Sequence, residues 1–426
     1  MTIEELYQIY LQYPSVQADT RKLQQGDLFF ALKGPNFNGN EFAAQALENG
    51  AAYAVIDEEQ YAVEGKTILV DDVLNTLQQL AKHHRQQFSI PFIAITGSNG
   101  KTTTKELIHA VLSTTYTTYT TEGNLNNHIG VPLTILKIKK DAQMAVVEMG
   151  ANHRNEIASY CTIALPSHGI ITNCGKAHLE GFGGEEGVRK GKGELFDHLR
   201  QYGGTAFVMW DYDYLQQMSS GIPFIYKYGT YNADVEGITL QSDPFLKVQF
   251  NKGMKATVDT QLVGSYNLPN VLAAAAVGLY FNVPEEKITT AITNYTPSNS
   301  RSQLLQKGDN KIILDAYNAN PTSMKLAIEN FARLPENNKT LILGAMAELG
   351  VDSIKEHEAI VTQIQQYPWR QVLLVGGDFL KLQPSFPTFP STTEAGNWLQ
   401  QQQVHDSYVL IKGSRSMQME KILNYL

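Results

Sequence analysis

An α/β protein of three domains is the fold class this sequence predicts, and three observations predict it. Short apolar runs alternate with helical stretches along the whole chain. One such run, Pro91-Phe92-Ile93-Ala94-Ile95, leads straight into a glycine loop that opens a helix-like segment. In the last third, four apolar runs each end in Gly or Asp and pass into a helical segment, the pattern of a parallel sheet. Length sets the domain number, because 426 residues exceed what a single hydrophobic core organises.

Residues 1–86 read as a small N-terminal α/β domain, with β runs at 27–32, 52–56 and 67–70 and helical stretches at 41–49 and 73–86. Residues 87–300 read as a central domain on a mostly parallel sheet of the phosphate-loop type, covered by helices. Within it, the Thr- and Tyr-rich 113–121 is a helix end followed by a strand, since β-branched and aromatic side chains suit a pleated surface. Alternation at 255–259 predicts an antiparallel strand. Asn267 is placed to cap an alanine-rich helix through Tyr280, with Pro269 near its first turn. Residues 301–426 carry the runs 312–314, 341–343, 372–375 and 409–411 and predict a Rossmann-like α/β domain. Ligands lie beyond the carboxyl ends of such strands, here Asp315, Gly344, Gly376-Gly377 and Gly413.

Composition excludes several functions. Hydrophobic residues make up 43% and charged ones 18%, outside the disordered regime. A net charge of −8, from 34 basic and 42 acidic residues, is the wrong sign for a nucleic-acid groove. The N-terminal Met1-Thr2-Ile3-Glu4-Glu5 is acidic and amphipathic rather than basic then apolar, and no apolar run reaches spanning length. A cytoplasmic protein without membrane insertion is expected, working as a monomer. The two cysteines, Cys161 and Cys174, lack metal-binding spacing and read as packed thiols.

The chemistry begins at Gly97-Ser98-Asn99-Gly100-Lys101-Thr102-Thr103. Two glycines let the backbone turn tightly, and the N–H groups, the helix start and the Lys101 ammonium all favour phosphate oxygens. Thr102 would then place a hydroxyl on Mg²⁺. This Gly-x-x-Gly-Lys-Thr loop is two residues shorter than a standard Walker A loop, which would need a glycine where Ile95 stands. Glu148 interrupts the apolar run 144–150 and is either a Mg²⁺ ligand or a carboxylate on an exposed edge strand. His178, after the apolar run 170–171, is either a metal ligand or structural. Lys192, between glycines ahead of a helix, reads on local sequence as a solvated surface charge. Asn126 and Asn127 lie in a loop, 123–132, that either offers amides to a polar ligand or simply turns. Asp315-Ala316-Tyr317-Asn318-Ala319-Asn320-Pro321 has the same ambiguity, though an Asp at a strand's end can accept ribose hydroxyls.

Taken in order, these segments resemble the Mur ligase family over essentially the whole chain. The resemblance is carried by Ala18-Asp19-Thr20-Arg21, Gly26-Asp27-Leu28-Phe29-Phe30-Ala31-Leu32-Lys33-Gly34, the short phosphate loop and Gly123-Asn124-Leu125-Asn126-Asn127. It continues through Glu148-Met149-Gly150-Ala151, Ala177-His178-Leu179-Glu180, Lys192-Gly193-Glu194, Tyr317-Asn318-Ala319-Asn320-Pro321 and Lys412-Gly413-Ser414-Arg415. It implies an ATP-dependent amide ligase of peptidoglycan precursor synthesis. Such an enzyme would join D-alanyl-D-alanine to UDP-N-acetylmuramoyl-tripeptide through an acyl phosphate. The sister reaction, addition of a single amino acid as in folylpolyglutamate synthesis, is the alternative. By resemblance, Lys101 and Thr102 serve ATP phosphates and Mg²⁺, Glu148 and His178 bind metal, and Lys192 is carbamylated. Asn267 and Asn270 fall to adenine, Arg301 to the γ-phosphate, Asp315 to ribose, and Asp19, Thr20 and Arg21 to the uridine nucleotide. Asn126, Asn127, Tyr317, Asn318 and Asn320 are expected at the peptide substrates. Tyr266, His128, Ala345 and Trp210-Asp211-Tyr212-Asp213 depart from the family's usual residues and put contacts near adenine and the dipeptide in doubt.

Overall fold

The computed structural model describes residues 1–298 and 300–426. Its first sheet is fully parallel, in the order Val16–Gln17, Leu28–Phe30, Tyr53–Ile56, Thr67–Leu69. The helices Ala43–Glu48 and Val73–Arg85 stand where the sequence places helical stretches. A further helix, Ile3–Gln12, opens the chain, started by a reciprocal cap between Thr2 and Glu5. It buries Leu6, Tyr7 and Tyr10, and the Tyr10 hydroxyl donates to the Leu136 carbonyl at 2.5 Å, docking this unit on the central one. Arg85 adds a second tie, donating from Nε to the Ala164 carbonyl at 2.8 Å.

The central sheet has nine strands. Its middle is Thr205–Met209, His168–Ile171, Phe92–Thr96 and Met144–Glu148, all parallel, with Thr118–Thr120 at one edge. Phe92 to Thr96 are all buried, so both faces of this strand are covered, as its unbroken apolar run requires. Toward the other edge, Phe224–Gly229 pairs in parallel with Val235–Ser242, and antiparallel ladders to Phe245–Lys252 and Thr257–Val263 finish the sheet. The predicted antiparallel strand is the last of these. Helix Lys101–Leu112 packs on the alanine-rich helix Leu268–Tyr280. Small residues permit the approach: a Cβ on Gly278 would meet Val111 Cγ1 at 2.6 Å.

The third sheet runs Gln303–Lys307, Asn310–Asp315, Tyr408–Lys412, Lys339–Gly344, Gln371–Val375, Thr388–Phe389. Only the first pair is antiparallel; the four predicted runs form the parallel centre. Asp315 and Lys412 are partners in register, so their side chains leave the sheet at the same level. Among the described residues, no helix is long and apolar enough to cross a membrane.

Candidate active site

A cleft of about 950 Å³ lies where the strand ends of the central sheet face those of the third, and it is lined from both sides. The phosphate loop forms its floor. Gly97 and Gly100 adopt φ of 144° and 80°, and a Cβ on Gly97 would sit 2.0 Å from Thr172 Oγ1. Only glycine fits that approach. The loop is laced to the next strand's end: Ser98 N–H donates to the Asn173 carbonyl at 2.9 Å, and Asn99 N–H donates to Asn173 Oδ1 at 3.1 Å. Lys101 folds back over the loop, donating to the Gly97 carbonyl at 2.7 Å. Burial pushes its ammonium down, the nearby Arg301 charge pushes the same way, and Glu148 opposes both. A desolvated ammonium over a loop of inward N–H groups is what a polyanion would neutralise.

Glu148 is 1% exposed and lies on an interior strand, which overturns the edge-strand reading. Its Oε1 accepts from Asn126 Nδ2 at 2.7 Å and from Thr102 Oγ1 at 3.2 Å, whereas Oε2 is buried without a partner among the described residues. An orphaned carboxylate oxygen beside a Thr hydroxyl fits a divalent cation.

Lys192 corrects the local reading most sharply. It is 1% exposed, on helix Glu185–Tyr202, with Nζ donating to the Ala151 carbonyl at 2.9 Å and standing 4.9 Å from the Phe182 ring centroid. The flanking glycines are the reason, since a Cβ on Gly191 would strike Phe182 at 2.4 Å and one on Gly187 its carbonyl at 1.8 Å. Loss of water pushes the amine down to about 7, helped by the charge on Lys101. In its neutral form such an amine is a nucleophile able to capture CO₂.

His178 adopts φ of 53°, and its Nδ1 lies 2.5 Å from Glu348 Oε2 of the third sheet's unit, a close polar pair short of an aligned hydrogen bond. Among the described residues, no three His, Cys, Asp or Glu side chains gather as a metal-binding group. A cation here would draw on Glu148 and Thr102, whose oxygens lie 3.2 Å apart.

On the opposite wall, Lys412 Nζ donates to Asp315 Oδ2 at 2.5 Å, and Asp315 Oδ1 accepts Ser302 N–H at 3.2 Å. Arg301 stacks over Tyr317, Cζ 3.6 Å from the ring centroid. Asn320 caps helix Pro321–Arg333 and reaches across the cleft, donating from Nδ2 to Asn99 Oδ1 at 2.7 Å. Asn318 accepts from Ala319 N–H at 2.9 Å.

Asn267 precedes its helix as expected but does not cap it with its side chain. Its Nδ2 donates to the Val263 carbonyl at 2.9 Å and its Oδ1 accepts from Asn270 Nδ2 at 2.8 Å, because the side chain is buried and bonds its nearest buried neighbours. Asn127 also lines the cleft, its Oδ1 bound by the Gly130 N–H at 2.9 Å. Asp19, Thr20 and Arg21 are not brought to this cleft. Asp19 and Arg21 pair with each other at 2.8 Å on the first unit, with Arg21 87% exposed, and that guanidinium lowers Asp19 to about 2.

Of the departing positions, Tyr266 reaches Ser302 Oγ at 3.1 Å, and Asp211 holds Thr230 Oγ1 at 2.8 Å. Ala345 offers its carbonyl to Ser414 Oγ at 2.6 Å, and the His128 carbonyl accepts Gln78 Nε2 at 3.1 Å. Sequence reasoning passed over Glu348, Phe182 and Thr121, whose hydroxyl accepts the Glu148 N–H at 2.9 Å. Only Phe182 left a trace, the glycines at 187 and 191 on one helix face.

Fold and cleft together define a phosphate-loop α/β protein whose nucleotide-type site is completed by a second, Rossmann-like sheet. Three family models match it: Mur ligase family, catalytic domain, at residues 12–85; Mur ligase middle domain at 95–278; and Mur ligase, glutamate ligase domain, at 300–415. The UDP-N-acetylmuramoyl-tripeptide--D-alanyl-D-alanine ligase of Bacillus subtilis is 40% identical over 343 residues, 79% of this chain and 74% of that protein. A MurF crystal structure from Acinetobacter baumannii superposes with a TM-score of 0.87 at 32% identity, covering 96% of this chain and 92% of that one. The MurF ligase of Thermotoga maritima in complex with ADP gives 0.86 at 26% identity, covering 97% of each. The chain belongs to the Mur ligase family.

Proposed function

We propose that this protein is the ATP-dependent ligase that joins D-alanyl-D-alanine to UDP-N-acetylmuramoyl-tripeptide. The observation that carries the reading is the facing pair of walls: phosphate loop and buried Glu148 on one side, with buried Lys192 bonded behind it to Ala151, and Asp315 and Tyr317 on the other. Its relatives named for this reaction, and the ADP bound to the Thermotoga maritima structure, support it. A carboxylate and an amine do not condense usefully in water. The tripeptide carboxylate attacks the γ-phosphorus of ATP, the bond to the bridging oxygen breaks to release ADP, and an acyl phosphate forms. The dipeptide amine then adds to the acyl carbon, loses its proton and expels phosphate, leaving the amide.

Lys101 and Arg301 hold the phosphates and offset the charge that develops on the transferring group. Asn267 and Asn270 border the adenine region and Asp315 the ribose. Mg²⁺ at Thr102 and Glu148 would neutralise phosphate charge, and the orphaned Glu148 oxygen fits it. Carbamylated Lys192 would present a carboxylate toward the same place, with His178 at its side. Residues 1–86 would hold the uridine nucleotide through Asp19, Thr20 and Arg21, 87–300 the ATP, and 301–426 the incoming dipeptide through Tyr317, Asn318 and Asn320. Asn126 and Asn127 would meet the peptide end of the nucleotide substrate. The contacts across the cleft exclude water that would hydrolyse the acyl phosphate. The reading also places the enzyme in the cytoplasm as a monomer, which sedimentation at working concentration tests.

Purified protein with ATP, Mg²⁺ and UDP-N-acetylmuramoyl-tripeptide should release phosphate on addition of D-alanyl-D-alanine. Release with single amino acids but not with the dipeptide would overturn the assignment in favour of a sister ligase. A panel of tripeptides in the same assay identifies the third residue of the acceptor.

A further inference from the structure

The loop from Gly175 to Glu180 has a second set of contacts that the proposed chemistry does not use. Lys176 Nζ donates to Glu356 Oε1 at 2.6 Å, and the Lys176 N–H donates to Thr322 Oγ1 at 3.0 Å. Two residues on, His178 meets Glu348, and Glu180 N–H donates to the Glu348 carbonyl at 3.4 Å. These partners belong to the third sheet's unit: Thr322 on helix Pro321–Arg333, Glu356 on helix Ser353–Ile364, and Glu348 in the loop after strand Lys339–Gly344; within the central unit Lys176 Nζ also stands 3.8 Å from Glu185 Oε1, a longer and more exposed pair.

That unit is braced to receive the loop. Glu356 is buried, so its carboxylate is short of water and its pairing with Lys176 is screened less than a surface contact. Glu348 sits at φ of 61°, a left-handed conformation that costs an ordinary residue energy and persists only where surroundings fix it. Behind it, fully buried His357 accepts the Met346 N–H at Nε2, 3.0 Å, and donates from Nδ1 to the Ser353 carbonyl, 2.7 Å. The Gly175–His178 stretch itself lies outside any helix or strand, so it lacks a ladder of its own to hold His178.

We infer that Glu356 and Glu348 are positioning residues that clasp the 175–180 loop at Lys176 and His178, so that His178 is set in place only when the third domain is docked. Docking thereby completes the site from the far side of the cleft. The catalytic consequence rests on the ligase reading above, whereas the clasp itself does not.

Hydrogen–deuterium exchange of segment 175–180 in the full-length protein, without ligands, tests the clasp. Lys176→Met and Glu356→Ala should each speed exchange there about tenfold, and the double variant should add little, since both remove one contact. Unchanged exchange in the single variants, or an additive rise in the double, would overturn it. Lys176→Met probes the contact independently if Glu356→Ala fails to fold. In ligation, Glu348→Ala and Glu356→Ala should lower kcat about 10–100-fold, the usual cost of losing an outer partner of a functional group, with KM for ATP within about twofold. Faster exchange with unchanged kcat would overturn the positioning role. A wild-type protein that shows the exchange coupling but never ligates would instead sink the ligase reading alone.

Discussion

Two buried lysines, Lys412 in the lining of the cleft and Lys192 behind its central side, are held in opposite ways. Lys412, on the third-sheet wall, is 2% exposed and paired with Asp315 at 2.5 Å. Lys192, in the central unit, is 1% exposed and donates to the Ala151 carbonyl, with no carboxylate paired to it among the described residues. Without a carboxylate partner, burial pushes the Lys192 ammonium toward the neutral amine, down to about 7. Glu148, on the central wall, likewise keeps one oxygen without a partner among the described residues. The Lys412–Asp315 pair is electrostatically finished by its own side chains, while Lys192 and Glu148 are finished by what binds to them. Unpaired buried charge therefore marks where ligand chemistry is expected, and paired charge marks preorganisation.

Substitutions on the central wall should break this contrast most severely. Lys192→Ala should lower ligation about 1,000-fold, the upper range for removing one preorganised electrostatic group, with partial rescue by a small carboxylate. Near wild-type turnover in that variant would sink the carbamate assignment. The same lysine predicts a pH effect of definite sign. Burial lowers its pKa, so the CO₂-reactive neutral form is scarce below about 7 and dominant above it. Protein stripped of CO₂ and re-exposed to the same dissolved CO₂ concentration at each pH should regain activity faster as pH rises through 7, and a rate that falls with pH at constant CO₂ would contradict the assignment.

Glu148→Gln keeps the shape but loses the charge, and should cost about 100-fold in turnover while raising the Mg²⁺ concentration needed for half-maximal rate. An unchanged Mg²⁺ titration would remove Glu148 from the cation site. On the paired wall the effect moves from turnover to stability. Lys412→Met leaves Asp315 without its partner, and a urea titration should show a loss of about 3 kcal/mol, the lower end for a broken buried pair because Asp315 is partly exposed. The exposed Asp19–Arg21 pair stands outside the contrast and gives the smallest change. Arg21→Ala should leave the melting midpoint alone and weaken uridine-nucleotide binding about tenfold, the worth of one charge-assisted hydrogen bond, without altering ATP affinity.

Much of this was legible from residue order. The phosphate loop announced itself because its glycines, lysine and threonine act through backbone conformation within a few residues, and the strand runs of the third sheet were set by local apolar pattern. Glu148 was half legible: an acid in an apolar strand signals a needed partner, but not whether the strand is central or at an edge. The helix Ile3–Gln12 was passed over although Thr2 and Glu5 spell its cap. Asn267 stood at the right position and bonded elsewhere, because burial brought the Val263 carbonyl and Asn270 closer than the helix N–H groups.

The sequence by itself determined a three-unit α/β chain with a short phosphate loop, since alternation, glycine placement and strand-end residues are local properties. Tertiary structure alone decided the state of the charged groups. Lys192 is surrounded by surface-type residues in the chain and becomes a dry amine only because Phe182 folds onto Gly187 and Gly191. His178 acquires Glu348, and Lys176 acquires Glu356, only because two sheets meet at their strand ends. Desolvation and pairing depend on which distant segments arrive at a site, and no spacing rule along the chain encodes that arrival.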